Sequence, residues 1–186
     1  MIIKDDVYAK LYIKFKKIIN LINKYVDVKI PDNIQLAFER CGSSKFPTMD
    51  SSGLYIKSYN TIFMNLDWSI RHINDEYESI VFHELRHVVQ FVLIDKYLNG
   101  EKVKDVSKDI ELWIKNKDNY IKYNKYDELE KQITHYLQPL ELDAYAFTIA
   151  VFSLEDLDIY LSFPEQISSI IENKAREIYN LLLLKK

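Results

Sequence analysis

The segment His83-Glu84-Leu85-Arg86-His87 constrains the fold more than any other part of this sequence. Two histidines four residues apart leave the same face of an α-helix, because the helix completes a turn about every 3.6 residues. The flanks of the segment are apolar, with Val81, Phe82, Leu85, Val88 and Val89 around the two histidines. Buried imidazoles need polar partners. The segment therefore predicts a buried helix whose two histidines bind a common partner.

Two imidazoles at this spacing are typical of a zinc site. Both ring nitrogens can reach one Zn²⁺ ion at about 2.0–2.1 Å. Glu84 lies about 100° around the helix from His83, where it can accept a proton from a zinc-bound water without binding the metal itself. The pattern predicts a zinc-dependent hydrolase in which His83 and His87 are ligands and Glu84 is the general base.

A catalytic zinc held by two histidines needs a third protein ligand. The metzincin continuation requires Gly at position 90 and His at position 93, where this chain has Gln90 and Leu93, so that class is excluded. Glu141 is the preferred candidate, because a carboxylate in so apolar a stretch needs a partner. His135 and Asp143 are alternatives. Asp143 and Gln90 are also predicted to orient the ligand side chains through hydrogen bonds without binding the metal themselves.

The run from Glu141 to Phe147, downstream of His-Glu-x-x-His, resembles the glutamate helix of gluzincin-type peptidases of the ImmA/IrrE-like group. The strand 62–65 before the zinc helix is similar to one in that group. The resemblance covers about residues 53–152 and implies a zinc metallopeptidase with the ligand set named above. The chain departs from the group in an apparent insertion at 100–126 and in Arg86, which replaces the usual Gly before the second His.

The remaining sequence pattern predicts an α+β fold, in which a mainly helical single domain (residues 1–186) carries a small three-stranded antiparallel sheet packed on the zinc-binding helix. Asp75 and Glu78 resemble a capping box for that helix, and Asn99-Gly100 is a typical stop. Residues 103–126 predict a short helix and a surface loop, and 127–137 a further helix. The main predicted elements are an N-terminal helix 5–26, the sheet at 34–66, the zinc helix 75–98, a glutamate helix 139–154 and a C-terminal helix 164–184.

Peptide hydrolysis passes through an oxyanion that needs a hydrogen-bond donor. Tyr145 lies one turn after Glu141 on the same helix face, so we expect it to be a catalytic residue with this role. Tyr136 and His135 are the alternatives. The strand 61–66 is expected to be an edge strand that pairs with an extended peptide.

Composition limits the partners. The formal net charge is −3, from 25 basic and 28 acidic residues, and a nucleic-acid partner is not expected without a basic excess. Cys41 is the only cysteine, which excludes an intramolecular disulfide. No apolar run approaches the roughly 18 residues of a membrane span, and the N-terminus lacks a signal-peptide pattern. We expect a cytoplasmic protein of bacterial or phage origin, with its oligomeric state left open.

Two functions fit these observations best, and a non-peptidase hydrolase with the same zinc-water chemistry is a third. The first is a zinc-dependent endopeptidase that cleaves a specific protein or peptide substrate. The second is a metal-stabilised, non-catalytic interaction module of the same fold that binds partners through residues 100–126. Glu84 favours the enzyme, because a purely structural site does not need a general base and usually has four protein ligands.

Overall fold

The computed structural model describes residues 5–104, 109–122 and 127–185. Within these residues the chain is mainly helical with one small sheet, which confirms the α+β class. The elements in chain order are α1 (Asp5–Ile22), β1 (Gln35–Glu39), β2 (Gly53–Ile56), β3 (Thr61–Asn65), α2 (Leu66–Arg71), α3 (Glu76–Leu98), α4 (Ile110–Asp118), α5 (Leu129–Tyr136), α6 (Pro139–Leu154) and α7 (Glu165–Leu183).

The chain divides into two compact units, Met1–Val88 and Val89–Lys186, with the boundary inside α3. The expectation of a single domain stays a prediction. No helix in the described ranges is long and apolar enough to cross a membrane. Parts of the predicted 100–126 insertion, residues 105–108 and 123–126, lie outside the described residues.

In the first unit, α1 packs along the first half of α3. The apolar side chains at helical spacing on α1 are fully buried, namely Leu11, Phe15, Ile18 and Ile22. The buried Tyr77 hydroxyl of α3 donates to the carbonyl oxygen of Leu11 at 3.1 Å, and Lys14 pairs with Glu78. At the start of α3, the N–H of Glu76 donates to Asp75 and, together with His72, lowers the pKa of that carboxyl.

The sheet is mixed, and the prediction of a purely antiparallel sheet is wrong. Strand β3 lies between the other two, pairing parallel with β1 and antiparallel with β2. The β2–β3 hairpin turns through Asn60, whose φ of 48° is in the left-handed region that Asn tolerates. Because β1 and β2 lie on opposite sides of β3, the return segment 40–52 connects two strands that are not neighbours in the sheet.

The return segment is anchored at the end of β3. The buried Asn65 side-chain amide donates to the carbonyl oxygens of Thr48 (3.3 Å) and Ser51 (2.8 Å), and the Asp67 carboxylate accepts from the Cys41 N–H at 3.0 Å. Asn65 also caps α2 by accepting from the N–H groups of Asp67 and Trp68. The sequence reading missed α2, whose six residues are too few to display a helical period.

Because β3 is central, it is not the edge strand that was expected to bind a peptide. The edges are β1 and β2. Strand β2 runs against α3: a Cβ at Gly53 would lie 3.4 Å from the Ile80 side chain, and the Tyr55 N–H donates to Glu84. The expected packing of the sheet on the helix that carries the histidines is confirmed.

In the second unit, α6 is in contact with α4, α5 and α7. Its buried positions extend round the helix and include Ala144, Ala146, Phe147, Ala150 and Val151. Helix α7 presents one buried face, namely Ile167, Ile171, Ala175, Ile178 and Leu182. The observed bounds of α6 match the predicted 139–154, and those of α7 lie within one residue of 164–184 at each end.

Candidate metal centre

Helix α3 carries His83 and His87 one turn apart, as their spacing predicts. Their Nε2 atoms are 3.1 Å apart, and the rings meet edge to face with centroids 4.7 Å apart. His83 is buried and His87 is partly exposed. The arrangement points two nitrogen atoms at one place beside the helix.

Glu141 lies in the first turn of α6 and is 3% exposed. Pro139 occupies the start of the helix, where its missing N–H is not needed. The next free N–H, that of Leu140, donates to the Asn116 side chain at 3.1 Å. A carboxylate at a helix N-terminus is favoured by the partial positive charge of the unpaired N–H groups. The local structure therefore accommodates a buried carboxylate at Glu141.

Among the residues described, His83, His87 and Glu141 form a group that could hold a metal ion. Each offers one ligand atom, and these atoms all lie within 4.8 Å of one another. Two nitrogens that bind one tetrahedral zinc at about 2.0–2.1 Å are about 3.3 Å apart, close to the 3.1 Å between the two imidazoles. Two nitrogens and one carboxylate oxygen are also a donor set that zinc accepts. The residues present fit the ion.

Glu84 is held by the backbone of the sheet. Its Oε2 accepts from the Tyr55 N–H at 2.7 Å, and the side chain is 8% exposed. In an antiparallel pair, alternate residues direct their N–H away from the partner strand, and Tyr55 directs its N–H from the outer edge of β2 to this carboxylate. One Glu84 oxygen is thereby fixed in place by the fold.

Gln90 and Asp143 are brought together. The Gln90 amide donates to Asp143 Oδ2 at 2.8 Å and to the Leu140 carbonyl oxygen at 2.9 Å. Gln90 is fully buried, and Asp143 is 1% exposed. This pair fixes α6 to α3 one residue before and two residues after Glu141. That it orients the metal ligands stays a prediction.

Tyr145, predicted as the oxyanion donor, lies in an aromatic cluster. Its ring is 5.2 Å from that of Tyr136 and 6.2 Å from that of Phe163, beside the buried Ile167 and Ile171. The Tyr136 hydroxyl donates to the Ser162 carbonyl oxygen at 3.3 Å. The catalytic role of Tyr145 stays a prediction.

Tyr120 and His135 lie beside the Glu141 carboxylate. The Tyr120 hydroxyl donates to Oε1 at 2.5 Å, and His135 Nε2 lies 3.8 Å from Oε2. The sequence indicates His135 as an alternative metal ligand or oxyanion donor, but it does not indicate Tyr120. Tyr120 follows the end of α4 in a loop without periodicity, and with 14 tyrosines in the chain no sequence signal distinguishes it.

Fold and site together define a candidate metal centre of the His-Glu-x-x-His type, with a glutamate from a later helix as its third member. Comparisons of the chain with protein-family models, with curated proteins and with solved structures found no match. The resemblance to the ImmA/IrrE-like group therefore depends on the motifs themselves.

Proposed function

We propose that this protein is a zinc-dependent endopeptidase of the gluzincin type, similar to the ImmA/IrrE-like group. The observation that carries the proposal is the group formed by His83, His87 and Glu141, with Glu84 next to His83 in the chain and held by the Tyr55 N–H. Three protein ligands leave a tetrahedral zinc one open position, which is the property of catalytic sites.

Zinc bound to this group would lower the pKa of a water towards about 7 and polarise the carbonyl of the bond to be cleaved. Glu84 supplies the proton transfer: its carboxylate accepts the proton from the attacking water and passes it to the departing amine. The Tyr55 N–H holds one oxygen of Glu84 through a hydrogen bond of 2.7 Å. The same bond leaves the other carboxylate oxygen to take the proton.

The substrate of this proposal is an extended segment of a protein or peptide. Strand β2 is an edge of the sheet, and its outer side includes the N–H that reaches Glu84. An extended peptide that pairs with the part of this edge not taken by Glu84 would lie next to the general base, and main-chain hydrogen bonds would supply affinity without a demand for one sequence. The strand in this role is β2 and not β3.

The test compares zinc content and cleavage in the same preparations. Glu84→Gln should retain zinc and lose cleavage, by about 100-fold or more, because the general base is removed. Glu141→Ala should lose most of the zinc, because a ligand is removed. Glu172→Gln and Glu172→Ala are the matched controls, since Glu172 is an exposed helical glutamate on α7. Zinc is measured by atomic emission after dialysis, and cleavage on a peptide library.

The alternative is a metal-stabilised interaction module without catalysis. It predicts that wild type and Glu84→Gln bind zinc equally and that neither cleaves any member of the library. Wild-type protein that binds no zinc would contradict both functions.

A further inference from the structure

The hydrogen bond from Tyr120 to Glu141 is a short contact to a predicted ligand. At 2.5 Å between Oη and Oε1 it has the length of a charge-assisted O–H···O⁻ bond. Tyr120 is 37% exposed and Glu141 is 3% exposed, so a surface side chain reaches a buried carboxylate. Nothing in the proposed reaction requires this contact.

The segment that carries Tyr120 is fixed to the start of α6 by Gln138. The Gln138 Oε1 accepts from the Ile121 N–H at 2.7 Å, and its Nε2 donates to the Ile121 carbonyl oxygen at 2.9 Å. The Asn116 side-chain amide donates to the same Oε1 at 3.0 Å, and its Oδ1 accepts from the Leu140 N–H. Because these bonds pair the two sides of the Ile121 backbone, the neighbouring Tyr120 has little freedom to leave Glu141.

His135 does not duplicate the contact. Its Nδ1 lies 2.9 Å from the Ile121 carbonyl oxygen; since a carbonyl only accepts, Nδ1 carries the proton of this bond. Nε2 is then directed towards Glu141 Oε2 at 3.8 Å, which is beyond hydrogen-bond distance. The two carboxylate oxygens therefore have different neighbours among these side chains: Oε1 accepts from Tyr120, and Oε2 faces His135.

We propose that Tyr120 is a positioning residue that holds Oε1 of Glu141, so that the carboxylate would bind a metal ion through one oxygen only. A glutamate that binds through both oxygens would fill the position that a water must take in a catalytic site. Hydrogen bonds to the outer oxygen of a ligating carboxylate fix its orientation and raise metal affinity. This inference rests on the proposed metal centre. It assigns the 109–122 part of the apparent insertion the role of orienting Glu141.

The test uses Tyr120→Phe, which removes the hydroxyl and keeps the ring. The matched control is Tyr97→Phe, because the Tyr97 hydroxyl donates to Glu111 Oε1 at 2.8 Å and Tyr97 is 40% exposed. Zinc affinity is measured by competition with a chromogenic chelator. The visible absorption of the Co²⁺-substituted protein reports coordination number, since added ligands weaken its bands. Thermal unfolding of the metal-free proteins checks that each variant folds.

We expect Tyr120→Phe to bind zinc about 10- to 100-fold more weakly than wild type, with weaker cobalt bands and an unchanged unfolding midpoint without metal. Tyr97→Phe should match wild type in all three measurements. Equal zinc affinity and equal cobalt spectra for Tyr120→Phe and wild type would overturn the inference. So would an equal loss in both variants, because the effect would then not be specific to Glu141.

Cleavage is scored separately, so that the two proposals can fail independently. If wild type binds zinc, Tyr120→Phe shows the predicted loss of affinity and no peptide is cleaved, the positioning role is supported and the peptidase proposal is contradicted. Wild type without zinc binding overturns both.

Discussion

Gln90 is a neutral side chain fully buried beside a carboxylate, and the sequence offered no reason beyond its position one turn after His87. The structure supplies one: its amide donates to Asp143 and to the Leu140 carbonyl. A buried carboxylate that loses a hydrogen-bond donor has no water to replace it, so the desolvation of the carboxylate is left uncompensated. This makes Gln90 a test of how much the α3–α6 connection contributes to the free energy of unfolding.

We expect Gln90→Leu to lower the free energy of unfolding by about 1.5–3 kcal/mol, the range for hydrogen bonds to charged groups. Leucine has a similar volume, so a cavity adds little. The measurement is the midpoint and slope of urea denaturation. The exposed Gln35 is the control, and Gln35→Leu should change stability by less than about 0.5 kcal/mol. Equal effects at the two positions would contradict the role given to Gln90.

At the scale of elements, helices with a clear period were predictable, and short or long-range features were not. The bounds of α6 and α7 follow from Pro139 and Pro164 together with a continuous apolar pattern. The pairing of β1 with β3 is accompanied by hydrogen bonds from Asn65 to the return segment 40–52. Such bonds join residues more than ten positions apart, so the local sequence pattern cannot predict them.

Gly53 tests the packing of β2 on its neighbours. A Cβ at this position would lie 2.7 Å from Met64 Sδ and 3.4 Å from Ile80 Cγ2, and Met64 is fully buried. We expect Gly53→Ala to lower the free energy of unfolding by about 1–3 kcal/mol through overpacking, measured by urea denaturation. The double variant Gly53→Ala with Met64→Ala should lose less stability than the sum of the losses in the two single variants. The reason is that Met64→Ala removes the sulfur atom that the new Cβ would contact. Strictly additive losses would contradict this packing.

At the scale of the whole molecule, the sequence predicted those site residues that stand out by their spacing or by their charge in an apolar segment. His83 and His87 share a helical period, and Glu141 is a charge within an apolar run. The surroundings of Glu141 were not predictable: Tyr120 reaches it across 21 positions through a loop fixed by Gln138. A ligand can be inferred from local chemistry, whereas the group that orients it depends on the folded path of the chain.

A metal ion that binds the folded chain and not the unfolded chain links the site to global stability. At a free zinc concentration of about 100 times Kd the gain is about 2.7 kcal/mol. For a chain of 186 residues each kcal/mol raises Tm by about 2–4 °C, so wild type should melt about 5–11 °C higher with zinc than with a chelator. Glu141→Ala should lose most of this rise, because the carboxylate ligand is gone, whereas Glu172→Ala should keep it. Scanning calorimetry at matched protein concentration measures all three. A rise of equal size in Glu141→Ala would mean that zinc stabilises the protein from another place, and the assignment of Glu141 as a ligand would be wrong.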